Sequence, residues 1–241
     1  MIDLTARQVQ ILRAIIEEFI SSAQPVGSET VDKKYRIGVS PATIRNEMVH
    51  LTKQGYLQKG HTSSGRVPTS LAMRLYVNEL MKEKDLSVAD EVSAKEKIWK
   101  TKDIREDLLR EATAVLAEKS HAVGIALTDN HRLYHAGYAN LLNMPEFYDI
   151  NVIRHVLSLI EEVSLLEEVF GLSHSENAVQ LVFGPDLGNR YLDPIAVLYM
   201  NVNAGGVPCK IGVLGSARFE YDYIIPLMKY LGGLIEEMTA Q

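Results

Sequence analysis

Apolar residues near the start of the chain recur at helical intervals. Val9, Leu12, Ile16 and Phe19 fall three or four apart, the spacing of a helix with one buried face. Thr5 and Gln8 have capping-box spacing at its start, and Pro25 and Gly27 mark its end. Ser28 suits the N-cap of a short second helix through Tyr35, with Glu29 favourably placed against the helix dipole. Ser40 caps a third helix whose first position is Pro41, where a missing N–H costs nothing. Ile44, Met48 and Leu51 form its apolar stripe, and Gly55 stops it. "YLQK" and "RVP" are short extended pieces on either side of "GHTSSG", whose two glycines suit a flexible hairpin loop. Thr69 is placed to cap a fourth helix with Leu71, Ala72, Leu75, Tyr76 and Leu80 on one face.

The pattern changes at Lys82. From there to Asp107, 15 of 26 residues are charged, which reads as an exposed, partly helical linker and the first domain boundary. Ile104, Leu108, Ala112 and Val115 begin a new helix. "AVGIALTD" and "RLYHAGYA" read as strands around Asp129-Asn130. "NVIRHVLSLIEEV" is helical, with Ile153, Val156, Leu157 and Ile160 inward. "AVQLVF", "IAVLYMNV" and "CKIGVLG" are further strands, the last two joined by the turn "NAGGVP". A final helix carries Tyr221, Ile224, Met228, Leu231, Ile235 and Met238. That stripe has two readings, packing on its own sheet or forming part of a dimer seam.

The predicted class is α+β. Residues 1–81 have the element order of a winged helix–turn–helix, 82–103 are charged linker, and 104–241 are an α+β domain on an antiparallel sheet.

Composition narrows the possibilities. With 46% hydrophobic residues the chain is expected to fold throughout, and its apolar runs are too short to cross a bilayer. The opening "MIDLTARQ" lacks the basic-then-apolar layout of a signal peptide. Cys209 is the single cysteine, which excludes an internal disulfide and any multi-cysteine metal site. A cytoplasmic protein is expected. The net charge of −6 conceals an asymmetry: residues 1–84 hold 12 Lys/Arg against 8 Asp/Glu, and residues 85–241 hold 13 against 23. Such a division suggests a basic reader joined to an acidic module.

The third helix and the hairpin carry the candidate chemistry. With Ile44, Met48 and Leu51 inward, Thr43, Arg45, Asn46, His50 and Lys53 are left toward solvent. Arg takes a guanine edge bidentately and Asn an adenine edge, each discriminating by about 1–3 kcal/mol. Ser40 stands at the helix N-terminus, where backbone N–H groups attract a phosphate. His61, Thr62, Ser63 and Ser64 at the hairpin tip, with Arg66 at its base, suit contacts to a nucleic-acid backbone or minor groove.

"SPATIRNEMVHLTKQGYL" followed by "HTSSGRVPT" closely resembles the amino-terminal domain of the HrcA family, the heat-inducible transcription repressors of bacteria. "PVGSETV" (Pro25 to Val31) is similar to that family's second-helix start. "AGYANLLNMPEFYD" (Ala136 to Asp149) and "GVPCKIGVLGSARFEYDYIIPLM" (Gly206 to Met228) resemble later family motifs. The resemblance implies a dimeric repressor on an inverted-repeat operator upstream of chaperone genes. It also implies a GAF-like carboxy-terminal region, with chaperonin as co-repressor and no enzymatic activity or cofactor. Two departures stand out. Family members usually run about a hundred residues longer, and the dimerisation insert of the GAF-like domain, with its first strands, is expected to be missing here; "GSARFEY" (Gly215 to Tyr221) keeps Arg218 and Tyr221 but lacks the family's Pro.

Other constellations read as structural. "GSAR" is a βα turn with Arg218 in an ion pair, and "FGPDLGNR" is a turn without the ending of a phosphate loop. His131 and His135, four apart on one predicted strand, lack a third ligand nearby. Cys209 reads as a small buried hydrophobe. No catalytic site emerges. Two rivals to a repressor remain: a metabolite-sensing winged-helix regulator with a small effector in the acidic half, and a pure protein-interaction module.

Overall fold

The computed structural model describes residues 4–60, 65–101, 105–173 and 175–240. They form two compact units, Met1–Lys82 and Glu83–Gln241.

In the first unit, α1 (Ala6–Ser22), α2 (Ser28–Tyr35) and α3 (Pro41–Lys53) precede an antiparallel hairpin of β1 (Leu57–Lys59) and β2 (Arg66–Pro68). The helix α4 (Ser70–Leu75) follows, continued by a π-helical turn, Tyr76–Leu80. Thr5 and Gln8 close the capping box of α1, and Ser40 caps α3 ahead of Pro41. The N-cap of α2 is Gly27 rather than Ser28, which begins the helix and is itself buried. Ile11, Leu12, Ile15, Ile16, Val31, Ile44, Met48, Leu51 and Leu57 make the core, each at most 3% exposed. On α4 the stripe departs from expectation: Leu71 is exposed and Met73 is buried in its place. The π turn closes an i→i+5 bond, Met81 N–H to the Tyr76 carbonyl, and Leu80 at its end is only partly buried.

The second unit is built on a five-stranded sheet in the order β4-β3-β7-β6-β5, every neighbour antiparallel. Its strands are β3 (Val123–Thr128), β4 (Leu133–Ala136), β5 (Gln180–Phe183), β6 (Ile195–Ala204) and β7 (Val207–Ser216). The remaining helices are α5 (Val88–Trp99), α6 (Arg105–Ser120), α7 (Tyr138–Leu141), α8 (Ile150–Glu161), α9 (Val163–Gly171) and α10 (Tyr221–Thr239). One sheet face, through Val123, Ile125, Leu127, Val197, Tyr199 and Leu214, packs with Val156, Ile160, Leu166 and Phe170 of α8 and α9. The other lies under α6 and α10. A Cβ on Gly124 would stand 2.1 Å from the Thr113 carbonyl oxygen of α6, so only glycine permits that approach.

The charged segment 82–103 is not a bare linker. Residues Val88–Trp99 form α5, because Ala94 and Ile98, one turn apart, bury against α6 while the charges find partners at its rim. Asp90 pairs with Lys119 at 2.6 Å, and Lys97 pairs with Glu118. Pro226 docks the preceding residues: lacking an N–H, it frees the Asp222 carbonyl inside α10, and the Lys84 N–H takes that carbonyl at 2.8 Å. Ile104, expected to begin α6, lies outside the described residues.

Two further expectations shift. On α8 the buried residues are Val152, Val156, Leu159 and Ile160, whereas Ile153 and Leu157 are only partly covered. The helix is amphipathic with a wide apolar arc, and the core takes the part of that arc that holds Val152, Val156, Leu159 and Ile160 rather than the part centred on Ile153 and Leu157. His131 is not on a strand with His135. It occupies the β3–β4 turn in a left-handed conformation (φ 62°), and its Nδ1 lies 2.7 Å from Glu167 of α9.

Arg218 is in the structural ion pair foreseen for it, donating through Nε to Glu146 and through Nη2 at 3.0 Å, with both side chains less than a fifth exposed. Burial, the largest single influence, would raise the Glu146 carboxyl; the hydrogen bond and charge of Arg218, joined by a backbone bond and Ser216, together outweigh it and hold the group below its usual value. A carboxylate depressed in this way stabilises the fold above its unfolded-state pKa, and the benefit disappears as pH falls through the folded-state value. Glu146→Gln is therefore expected to cost roughly 3 kcal/mol in urea unfolding at neutral pH. The difference from the parent should narrow as pH drops below the ordinary carboxylate value of 4.5.

Candidate nucleic-acid interface

On α3 the buried line Ile44–Met48–Leu51 turns the opposite side to solvent. Arg45, Asn46, His50 and Lys53 are exposed there, and their side chains make no hydrogen bond or ion pair with the described residues. Thr43 is half-buried, and its hydroxyl lies 3.0 Å from that of Ser40, whose Oγ also accepts the Thr43 N–H. The N-terminal turn is thus closed by these two hydroxyls, with Ser40 itself exposed.

The one acid on α3 points elsewhere. Glu47, 18% exposed, accepts from Gln8 Nε2 at 3.1 Å and lies 3.6 Å from Arg7 of α1. Gln8 also accepts the Thr5 N–H, so the cap of α1 is tied to α3. The open face of α3 therefore carries Arg45 and Lys53 with no carboxylate among them. Glu18, buried among the apolar residues of α1, receives Lys34 of α2 at 2.7 Å. Burial, reinforced by Glu18 and Glu17, pushes the nearby Tyr35 hydroxyl up to about 12.

The hairpin is fastened rather than hinged. Val26 and Arg66 exchange backbone hydrogen bonds at 2.8 and 2.9 Å, joining the α1–α2 connection to β2. The Arg66 guanidinium donates through Nε to Thr52 Oγ1 at 3.2 Å and through Nη1 to the Gly65 carbonyl. Thr52 in turn donates to the Met48 carbonyl at 2.7 Å, so Arg66 anchors the hairpin base to the end of α3. Gly60 and Gly65 serve close approach: a Cβ on either would stand 2.6 or 2.5 Å from Pro25. His61, Thr62, Ser63 and Ser64, expected at the hairpin tip, lie outside the described residues.

Sequence reading missed Gln8, Glu47, Thr52 and Glu18 as residues that set the posture of α3 and the hairpin. For Glu47 a signal was present, as the only acid in a helix whose charged residues are otherwise basic.

The second unit offers less chemistry. An open depression of about 400 Å³ is lined by Asp129, Asn201, Asn203, Lys210 and Glu236, with Cys209 beneath. Cys209 is buried, its Sγ donating to the Val202 carbonyl, and burial pushes the thiol up to about 11, away from nucleophilic use. Among the described residues no group of His, Cys, Asp and Glu is placed to hold a metal ion, and no helix is long and apolar enough to cross a membrane.

A family model described as "HrcA protein C terminal domain" matches residues 44–225. The heat-inducible transcription repressor HrcA of Symbiobacterium thermophilum is 26% identical over 334 aligned positions, spanning 97% of this chain and 98% of its own. Those positions exceed the 241 residues here by 93, so the relative carries internal residues that this chain lacks. The Clostridium perfringens protein of the same name is 34% identical over 178 residues, 69% of this chain and 52% of its own. A crystal structure described as that of a hypothetical protein shares the fold, with TM-score 0.78 and 20% identity over 99% of both chains.

Thr52→Val keeps the side-chain shape but removes the hydroxyl between Met48 and Arg66. It is expected to lower the stability of the first unit by about 1 kcal/mol in urea titration, and to speed hydrogen exchange at the Val26 and Arg66 amides.

Proposed function

The chain belongs to the HrcA family of heat-inducible transcription repressors, and on that footing we propose that its first unit is a winged helix–turn–helix gripping operator DNA. In this reading α3 enters the major groove, with Arg45 and Asn46 on base edges, Thr43 and His50 beside them, and Lys53 on phosphate. Ser40 presents the N-terminus of α3 to the backbone. His61, Thr62, Ser63 and Ser64 form the wing tip, and Arg66 combines its internal anchorage with a backbone contact through its remaining donors. The observation that carries the proposal is the free face of α3. Arg45, Asn46, His50 and Lys53 stand exposed there without an internal partner among the described residues, while Glu47 is turned to α1.

The second unit is proposed as a GAF-like regulatory and dimerisation domain, pairing two readers on an inverted repeat upstream of chaperone genes, in the cytoplasm and on the nucleoid. Chaperonin is the proposed co-repressor. The family is one of repressors rather than enzymes. A small-molecule sensor would call for an apolar cavity, but the layer between the sheet and α8–α9 is occupied by side chains at most 7% exposed, which favours the repressor reading.

Gel-shift titrations at several salt concentrations test the assignment of roles. Arg45→Ala is expected to relax base preference by about 1–3 kcal/mol at one position of each half-site. Lys53→Ala should weaken all duplexes alike and lower the salt slope by about 0.9. An Arg45→Ala protein with undiminished operator preference would remove that residue from base reading.

A further inference from the structure

The exposed side of α3 is not uniformly polar. Ala42 is exposed and Val49 keeps 39% of its surface. With Asn46 and Lys53 they fall at offsets of four, seven and eleven, a single file along the helix opposite Ile44, Met48 and Leu51. A solitary exposed apolar residue needs no explanation on an ordinary surface. Here, however, Val49 sits one turn beyond both Arg45 and Asn46, at the centre of the face that the repressor reading turns toward DNA. Its β-branched side chain costs helix stability at an exposed site compared with Ala, Lys or Glu, so local folding gives no reason for it.

The major groove displays one apolar group, the C5-methyl of thymine, and short apolar side chains are its partners. We infer that Val49, together with Ala42, is a specificity-determining residue that packs on thymine methyl groups on either side of the base pair facing Asn46. This rests on the repressor reading and deepens it. Arg45 selects guanine, Asn46 selects adenine, and Ala42 and Val49 select thymine, so each half-site is expected to carry A·T pairs flanking the Asn46 contact. Polar donors on α3 would distinguish these thymines poorly, since methyl recognition is a matter of apolar burial and shape.

The test uses the full chain and duplexes that it selects from a randomised pool. Selected duplexes are resynthesised with deoxyuridine replacing thymine at one position at a time, which removes only the methyl. At the contacted thymine the parent chain should lose about fourfold in affinity, the equivalent of ~0.8 kcal/mol for one buried methyl-sized group. Val49→Ala, which retains helix propensity, should bind the thymine duplex less tightly and be indifferent to deoxyuridine at that one position. Its salt slope should match the parent's, because no phosphate contact is lost. Ala42→Ser should show the same indifference at a second thymine. Retention by Val49→Ala of full deoxyuridine sensitivity at every thymine would overturn the inference and leave the repressor reading standing. A parent chain that selects no duplex at low salt would overturn the repressor reading itself, and this inference with it.

Discussion

Burial of Ile44, Met48 and Leu51 determines what α3 can show on its other side. A helix that commits one line of residues to a core has its rotation set to within a fraction of a turn. Every residue offered to solvent, Arg45, Asn46, Val49, His50 and Lys53 among them, follows from that commitment. The polar contacts around it refine the posture: Glu47 to Gln8 at one end, and Thr52 to Arg66 at the other. The hairpin is then tied to the α1–α2 connection by the Val26–Arg66 backbone pair and by the packing of Gly60 and Gly65 on Pro25. The helix α3 and the hairpin are thereby held as one body.

In the second unit the corresponding constraint is the two-sided covering of an antiparallel sheet. Polar ties close its seams. Asn140 donates to the carbonyls of Ala117 and Ala122, joining the end of α6 to the start of β3. Glu146 holds Arg218 at the turn into α10, and Tyr199 donates to the Phe170 carbonyl under α9. Asn140, Glu146 and Arg218 lie in stretches that carry the family resemblance, and their work is architectural.

Local signals were read well where they depend on chain neighbours alone. Ser40 with Pro41 and the Thr5–Gln8 pair mark helix starts through hydrogen bonds spanning three residues, and the structure begins α1 and α3 at those caps. The strands of the antiparallel sheet were likewise legible from their apolar runs. The errors arose where a partner remote in sequence decides. Segment 82–103 has the composition of a linker, yet Ala94 and Ile98 find α6, and Lys84 finds the carbonyl that Pro226 leaves open. On α4 Leu71 is exposed and Met73 takes its place in the core, an exchange set by what packs on the helix from elsewhere in the chain. Val49 lies outside the inward stripe of α3, but only burial distinguishes a presented valine from a core one.

By itself the sequence determined the helix starts, the hairpin, the buried line of α3, the antiparallel sheet and the family, because caps, periodicity and ordered motifs act over short stretches of chain. Tertiary structure alone decided which part of the apolar arc of α8 lies deepest, that the charged segment after Lys82 folds against the sheet domain, and that the glycines flanking the hairpin loop serve Pro25 rather than flexibility. It also decided that Arg66 braces the hairpin and that Ala42 and Val49 stand in the open among the basic residues of α3. Those outcomes depend on contacts between residues far apart in the chain, whose energies no local pattern encodes.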